Sequence, residues 1–439
     1  MSRQQSKRQQ PAASPRNLGL AFRIYTLLWQ IALPLLHRNP RLQEGWPERI
    51  LSTPPPRADI WIQAASVGEA YLVRELLKHC DPNRSQTLLL TSNTAQGLAI
   101  LQECQHRCST THPKLMIHCR SFPFDRPRIM ARALDAIQPR LVVLLESEIW
   151  PGLLRACKER EIRTLLVNGR INSRSLRNYR IWPGLWRALR PDRVLAISEI
   201  DHERFALLFG PARVETMHNI KFDHLLAEQD DNQQPNPLAE LLRPERPFLV
   251  LGSIRKEEED DIARLITVLL KRETRLVIGL FPRHLHRLQA WEKRLSGLGL
   301  PWQLRSATIR PVRSGRIILW DRIGELRDSY TLARAALVGG TIARLGGQNF
   351  LEPLRCGLRP VIGPHWTDFR WVGEEIITEG LVHQVGDWQG AAVQLLADLT
   401  SPYDRLSIQK QARSYFQARQ GGSQAAWNAV ESMLTKGHS

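Results

Sequence analysis

From residue 60 onward, short apolar runs alternate with segments whose apolar positions recur every three or four residues. Runs at 60–65, 87–90, 141–145, 164–167 and 194–197 predict buried parallel strands, with helices between them at 69–78, 126–136 and 152–159. This is the rhythm of a doubly wound α/β domain. A polar, proline-flanked stretch at 228–237 reads as a linker. A second series then predicts strands at 248–251, 275–280, 317–319, 335–338 and 359–362, with a helix at 256–270. That helix opens on Glu257, Glu258, Glu259, Asp260 and Asp261, which suit the positive end of a helix dipole and read as a capping and solvation feature. The tail from 402 to 434 is helical in composition. The pattern predicts an α/β protein of two Rossmann-like domains, at 51–230 and 238–439, facing across a cleft, with the C-terminal helix closing the second.

Ahead of these lie a basic tail at 1–17, expected to be disordered, and a segment at 18–50 expected to associate with a membrane. Residues 24–36 carry no charge, but the run is shorter than the roughly 20 residues that span a bilayer, and Arg23 and Pro34 interrupt it. Tyr25, Trp29 and flanking Arg residues suit the membrane–water interface, which favours a monotopic anchor. The other reading is an amphipathic helix buried in the domain. No small-residue cleavage site follows, against a signal peptide.

The 439 residues, 43% apolar, suffice for two cores. A net charge of +18 calls for an anionic partner: nucleic acid, anionic lipid or a phosphorylated substrate. No nucleic-acid motif is visible, so nucleic acid is not expected as a partner. Six cysteines form no disulfide framework. Cys104, His106, Cys108, His112, His118 and Cys119 cluster within sixteen residues, but without a second CxxC pair zinc is not expected there.

Candidate chemistry gathers at strand ends. Gly339-Gly340-Thr341-Ile342-Ala343-Arg344-Leu345-Gly346-Gly347-Gln348 precedes Asn349-Phe350-Leu351-Glu352, a glycine-rich turn opening a helix. Such a turn lets backbone N–H groups approach a phosphate, which suggests a nucleotide or nucleotide-sugar clamp; the plainer reading is a tight turn with a cap. Ser66-Val67-Gly68-Glu69 offers a carboxylate that could accept a proton, or an ordinary capping box. Glu146-Ser147-Glu148 ends an apolar strand, where period 2 would put both acids on one face, and Asn168-Gly169-Arg170 ends the next. Lys221, Gly252-Ser253, Pro282-Arg283 and Gly324-Glu325 complete the set; Arg283 suits a phosphate through its forked guanidinium. There is no Asp-x-Asp pair, Walker A motif or opening GxGxxG.

In order, SVGE at 66–69, PFD at 123–125, ESEIWP at 146–151, NGRINSRS at 168–175, NIKFD at 219–223, PRH at 282–284, GEL at 324–326, GGQNFLEP at 346–353 and GPH at 363–365 resemble the bacterial 3-deoxy-D-manno-oct-2-ulosonic acid (Kdo) transferases, over roughly residues 20–390. The resemblance implies a GT-B fold and inverting transfer of Kdo from CMP-Kdo to the lipid A precursor of lipopolysaccharide. It implies no metal and no cofactor, CMP-Kdo being a substrate, and a place on the cytoplasmic face of the inner membrane, whose anionic surface is a further partner. It implies Glu69 as general base, with Glu146 and Lys221 stabilising the transition state. Pro282, Arg283, Ile323, Gly324, Glu325, Asn349, Phe350, Leu351 and Glu352 would bind the CMP-sugar, and Ser253 joins them by its position at a strand end. Departures from the family pattern at Gln348, His218, Gly169 and Gly152 leave open a related transferase using another CMP-linked acidic sugar or glycolipid. An inactive or nucleic-acid-binding scaffold is supported only by the charge.

Overall fold

A computed structural model describes residues 15–81, 83–227, 236–242, 246–401 and 404–435. The expected tail at 1–14 and the linker core at 228–235 lie outside them. The chain divides into two compact units, residues 1–225 with 419–439, and residues 226–418.

The first unit holds seven parallel strands: β1 Ile60–Ala64, β2 Gln86–Ser92, β3 Leu115–Ser121, β4 Leu141–Leu145, β5 Arg163–Gly169, β6 Arg193–Ala196 and β7 Val214–Thr216. Their order is β3-β2-β1-β4-β5-β6-β7, so the direction of winding reverses between β1 and β4. β1 and β4 are buried along their whole length, as their unbroken apolar runs demand. Alternate residues feed two cores. Ile60, Ile62, Leu141 and Val143 face one, and Trp61, Leu89, Val142 and Leu144 the other.

The last helix, Gly422–Thr435, corrects the domain boundary read from sequence. It closes the first unit, not the second: Ala426, Trp427, Val430 and Leu434 are buried in the core beside β1 and β4. Its amphipathic face fits either sheet by pattern alone, and the first core accepts Trp427 at 2% exposure. Truncating such a ring costs about 3–5 kcal/mol. Asp223 caps this helix, accepting from Gly421 N at 2.7 Å and Ser423 N at 2.6 Å.

On the opposite face lies the helix Pro15–His37, which starts within the stretch expected to be a tail and runs 23 residues. By length and composition its Gly19–His37 portion could cross a membrane, which the uncharged run alone understated. Phe22, Tyr25, Trp29, Leu33 and Leu36 pack on the first unit, with Trp29 5.7 Å from the Phe124 ring. Leu20, Ile24, Leu27, Leu28, Ile31 and Leu35 form an exposed apolar stripe. The helix therefore has two apolar faces, one on the protein and one exposed among the described residues.

The second unit repeats the plan with β8 Phe248–Ile254, β9 Val277–Pro282, β10 Trp302–Leu304, β11 Ile317–Leu319, β12 Ala335–Val338, β13 Val361–Ile362 and β14 His383–Gln384, ordered β10-β11-β9-β8-β12-β13-β14 and all parallel. Tight glycine packing closes the carboxyl end: a Cβ at Gly339 would lie 2.6 Å from Ser253 O.

The cysteine–histidine cluster is split by the fold. Cys104, Cys108 and Cys119 point into the core, where burial pushes the Cys104 thiol up to about 11 and Cys119 to about 12, while His106 is exposed. Among the described residues no three His, Cys, Asp or Glu side chains are grouped to hold a metal ion.

Candidate functional site

Parallel strands deliver their carboxyl ends to one edge of the sheet, and β1, β4 and β5 are consecutive neighbours. That edge brings together Glu69, Glu146, Glu148 and Lys221. Glu69 sits in the first turn of the helix Val67–Leu77, capped by Ser66 Oγ, which accepts from Glu69 N at 3.4 Å. Its carboxylate accepts from Ala65 N at 2.6 Å. The capping role is thus real, but it is not the whole account. Glu69 is 7% exposed, and burial, followed by the nearby Glu148 charge, pushes its carboxyl up to about 8; Glu146 adds to this, while the Ala65 N–H and Lys221 oppose it.

Glu146 directly follows β4 with φ at +51°, a left-handed conformation that a glutamate adopts only at a cost of about 1–2 kcal/mol. This kink ends the period-2 alternation, so Glu146 and Glu148 do not share a strand face as the spacing predicts. Glu146 Oε1 accepts from Lys221 Nζ at 2.5 Å, and Arg170 Nη2 lies 3.6 Å from Oε2. Two asparagines hold the lysine's backbone. Asn168 Oδ1 accepts from Ile220 N at 3.0 Å and Asn219 Oδ1 from Lys221 N at 2.9 Å. Asn168 is itself left-handed, with φ at +55°. Strained non-glycine residues at strand ends point toward function.

Glu148 is the residue the sequence reading left without a role. Trp150 Nε1 donates to its Oε2 at 2.6 Å and Gln63 also bonds it, yet burial still pushes its carboxyl up to about 7. Gln63 is fixed by Thr91, whose Oγ1 donates to Gln63 Oε1 at 2.6 Å and accepts from Trp61 Nε1 at 2.8 Å. The paired acids of ESE were the available signal; the kink between them was not.

In the second unit, Ser253, Arg283 and Gln348 meet at the ends of β8, β9 and β12. Ser253 is left-handed at φ +57°, Arg283 N donates to Ile254 O at 2.8 Å, and Arg283 Nε donates to Gln348 Oε1 at 3.0 Å. Pro282 closes β9 and is buried; Arg283 is exposed.

The glycine-rich turn differs from its sequence reading. Its N–H groups are occupied by Glu258, which is 1% exposed and accepts from Gly340 N at 2.6 Å and Ile342 N at 2.9 Å. The turn is an anion cradle, but the anion is the protein's own carboxylate, so Glu258 is no mere solvated cap. Likewise Glu325 is held by Arg305 through bonds of 2.8 and 3.1 Å and by Trp320 Nε1 at 2.9 Å. Glu325 thus offers a ligand its backbone more readily than its carboxylate. Ile323 is 86% exposed and Gly324 exposed beside it. Phe350 and Leu351 turn their side chains inward, Phe350 against Trp366 and Phe369. Asn349 is exposed, with Oδ1 capping Leu351 N at 3.2 Å, and Glu352 is partly exposed in the first turn of Leu351–Arg355.

A family model described as 3-deoxy-D-manno-octulosonic-acid transferase (kdotransferase) matches residues 44–224. The 3-deoxy-D-manno-octulosonic acid transferase of Bordetella pertussis is 31% identical over 392 residues, 87% of this chain and 88% of that protein. The Haemophilus influenzae counterpart is 27% identical over 404 residues, 87% of this chain and 92% of that protein. Among solved structures, a glycosyltransferase from Rickettsia africae aligns with a TM-score of 0.56 at 11% identity, over 87% of this chain and all of that one. Anabaena HepE, in complex with UDP and glucose, gives 0.55 at 12% identity, over 86% of this chain and 100% of that one. These two likenesses bear on fold alone, and with the two parallel sheets they make the architecture GT-B.

Proposed function

The chain belongs to the Kdo transferase family of glycosyltransferases, and from that premise we propose that it moves Kdo from CMP-Kdo to a lipid A precursor, inverting the anomeric carbon and using no metal. The carrying observation is Glu69, a buried carboxylate of raised pKa with Glu148, Glu146 and Lys221 as its charged neighbours. Glu69 takes the proton of the acceptor hydroxyl as the new C–O bond forms. The bond from the anomeric carbon to the CMP phosphate breaks, and its electron pair leaves with CMP. The Lys221–Glu146 pair supplies fixed charge for the positive sugar centre and the departing phosphate, pre-oriented before the reaction.

Arg283 holds the phosphate, its forked guanidinium being exposed at the end of β9. The backbone at Ile323, Gly324 and Glu325, with Ser253 and the 349–352 turn, holds the rest of the CMP-sugar. The apolar stripe of Pro15–His37 lies in the cytoplasmic face of the inner membrane, where a net charge of +18 favours anionic headgroups and the lipid acceptor resides.

The test is transfer from freshly made CMP-Kdo to a tetraacylated lipid A precursor with EDTA present and Glu69→Gln alongside. Product from the wild type alone is expected. Its absence, with a proven Kdo transferase active in parallel, would sink the reading, and a need for added metal would remove the metal-free part.

A further inference from the structure

The carboxylate of Asp125 is 1% exposed, yet its three hydrogen bonds come from neutral donors. Gly152 N donates at 2.8 Å, Leu153 N at 2.7 Å and Tyr25 Oη at 2.7 Å. The two amides belong to the first turn of Pro151–Glu159, whose N-cap residue, Trp150, gives no side-chain cap. Asp125 therefore caps that helix from a distant part of the chain. Its fit is close: a Cβ at Gly152 would lie 2.3 Å from Asp125 O, so the helix cannot slide toward it.

Trp150, immediately before that helix, donates its indole N–H to Glu148, and its ring packs 5.2 Å from Phe122. Glu148 in turn is the charge that most raises the Glu69 carboxyl. At the other end, Tyr25 lies on the protein-facing side of Pro15–His37, between Phe22 at 6.2 Å and Trp29 at 6.3 Å. The helix with the bare apolar stripe is thus bonded, in three contacts, to the loop that carries an acid of the site.

We propose that Tyr25 and Asp125 are positioning residues that couple the seating of the N-terminal helix to the placement of Trp150 and Glu148. Seating the helix completes the bonds to Asp125 and holds Pro151–Glu159 in place; lifting it leaves a buried carboxylate short of a donor and loosens the turn that positions Trp150. The N-terminal helix then serves catalysis as well as location. The inference rests on the transferase reading only for its kinetic arm.

The experiment uses the full chain carrying Tyr25→Phe, which keeps the ring and removes one oxygen, with Tm checking that the fold survives. Backbone hydrogen exchange at Gly152 and Leu153 is expected to quicken about tenfold, with β8 and β9 unchanged. Transfer should lose about tenfold in kcat at unchanged KM for CMP-Kdo, as for one bond to a charged group. In a Glu148→Gln background that loss should disappear, because the two changes act through one contact path. Unchanged exchange at 152–153, or the same kcat loss in both backgrounds, would overturn the coupling. Exchange is read whether or not Kdo is transferred, so an inactive wild type would count against the proposed reaction while exchange still decides this inference.

Discussion

Buried and half-buried acids stand at or near strand ends in both units, and their surroundings differ. In the second unit Glu258 is met by the N–H groups of Gly340 and Ile342, Glu259 by the Arg287 fork at 2.9 and 2.7 Å, and Glu325 by Arg305 and Trp320. Each of these three carboxylates is hydrogen-bonded through both oxygens. In the first unit Glu69 and Glu148 share a small space with Glu146, and Lys221 is bonded to Glu146. Burial there, with the charges of the neighbouring acids, lifts the carboxyls of Glu69 and Glu148 to about 8 and about 7. Burial of a carboxylate therefore does not mark chemistry by itself. What sets the first group apart is acids crowded against one another, which leaves them poised to exchange protons near neutral pH.

The contrast can be broken most sharply at its two ends. Glu69→Gln should lower kcat by about a thousandfold, the scale of a lost general base, with CMP affinity within about twofold of wild type by calorimetry. A joint loss of CMP binding would make Glu69 structural, like the acids of the second unit. Glu258→Ala should act on stability: with the loop amides unpaired, denaturant midpoints should report a loss of about 2–4 kcal/mol. An unchanged midpoint would mean that water satisfies the turn.

The acid cluster should also show in pH. The base works deprotonated and its pKa is raised, so activity is lost as pH falls through about 8, by roughly tenfold per unit below it. A flat kcat between pH 6 and 8 would take the proton acceptor away from Glu69. Arg283→Ala should weaken CMP by about ten- to a hundredfold, read by the same calorimetry, since one guanidinium contributes about 1.5–3 kcal/mol to a phosphate contact. No weakening would move the phosphate site elsewhere.

Most of the architecture was legible in the chain because parallel strands buried on both faces leave uninterrupted apolar runs. β11 and β12 fall where those runs predict, and β1, β4 and β5 within two residues. β7, β10 and β14 escaped, and so did the longer β3, whose buried Leu115, Ile117 and Cys119 alternate with more exposed Met116, His118 and Arg120 instead of forming an apolar run. The grouping of Glu69, Glu146 and Lys221 in the candidate site was legible because each follows a strand end. It was illegible where partners are far apart in sequence. Glu258 reads as one of five acids at a helix start until the turn 82 residues later is seen to donate to it. Asp125 reads as a loop residue until helix 151–159 and Tyr25 close on it. The last helix misled for the same reason, since amphipathicity names a face but not the sheet that receives it.

That last helix also sets a timetable. The first sheet is translated early, but the face lined by Ile60, Ile62 and Val143 awaits Trp427 and Val430. Between the two come residues 226–418, which at about 5–20 residues per second take a ribosome roughly 10–40 s to add. Throughout that interval the nascent first unit carries an open apolar face, and Asp223 lacks the amides it will cap. A premature stop anywhere before Gly422 would therefore release a product recognisable to quality control as unfinished, even with every acid of the site already in the chain.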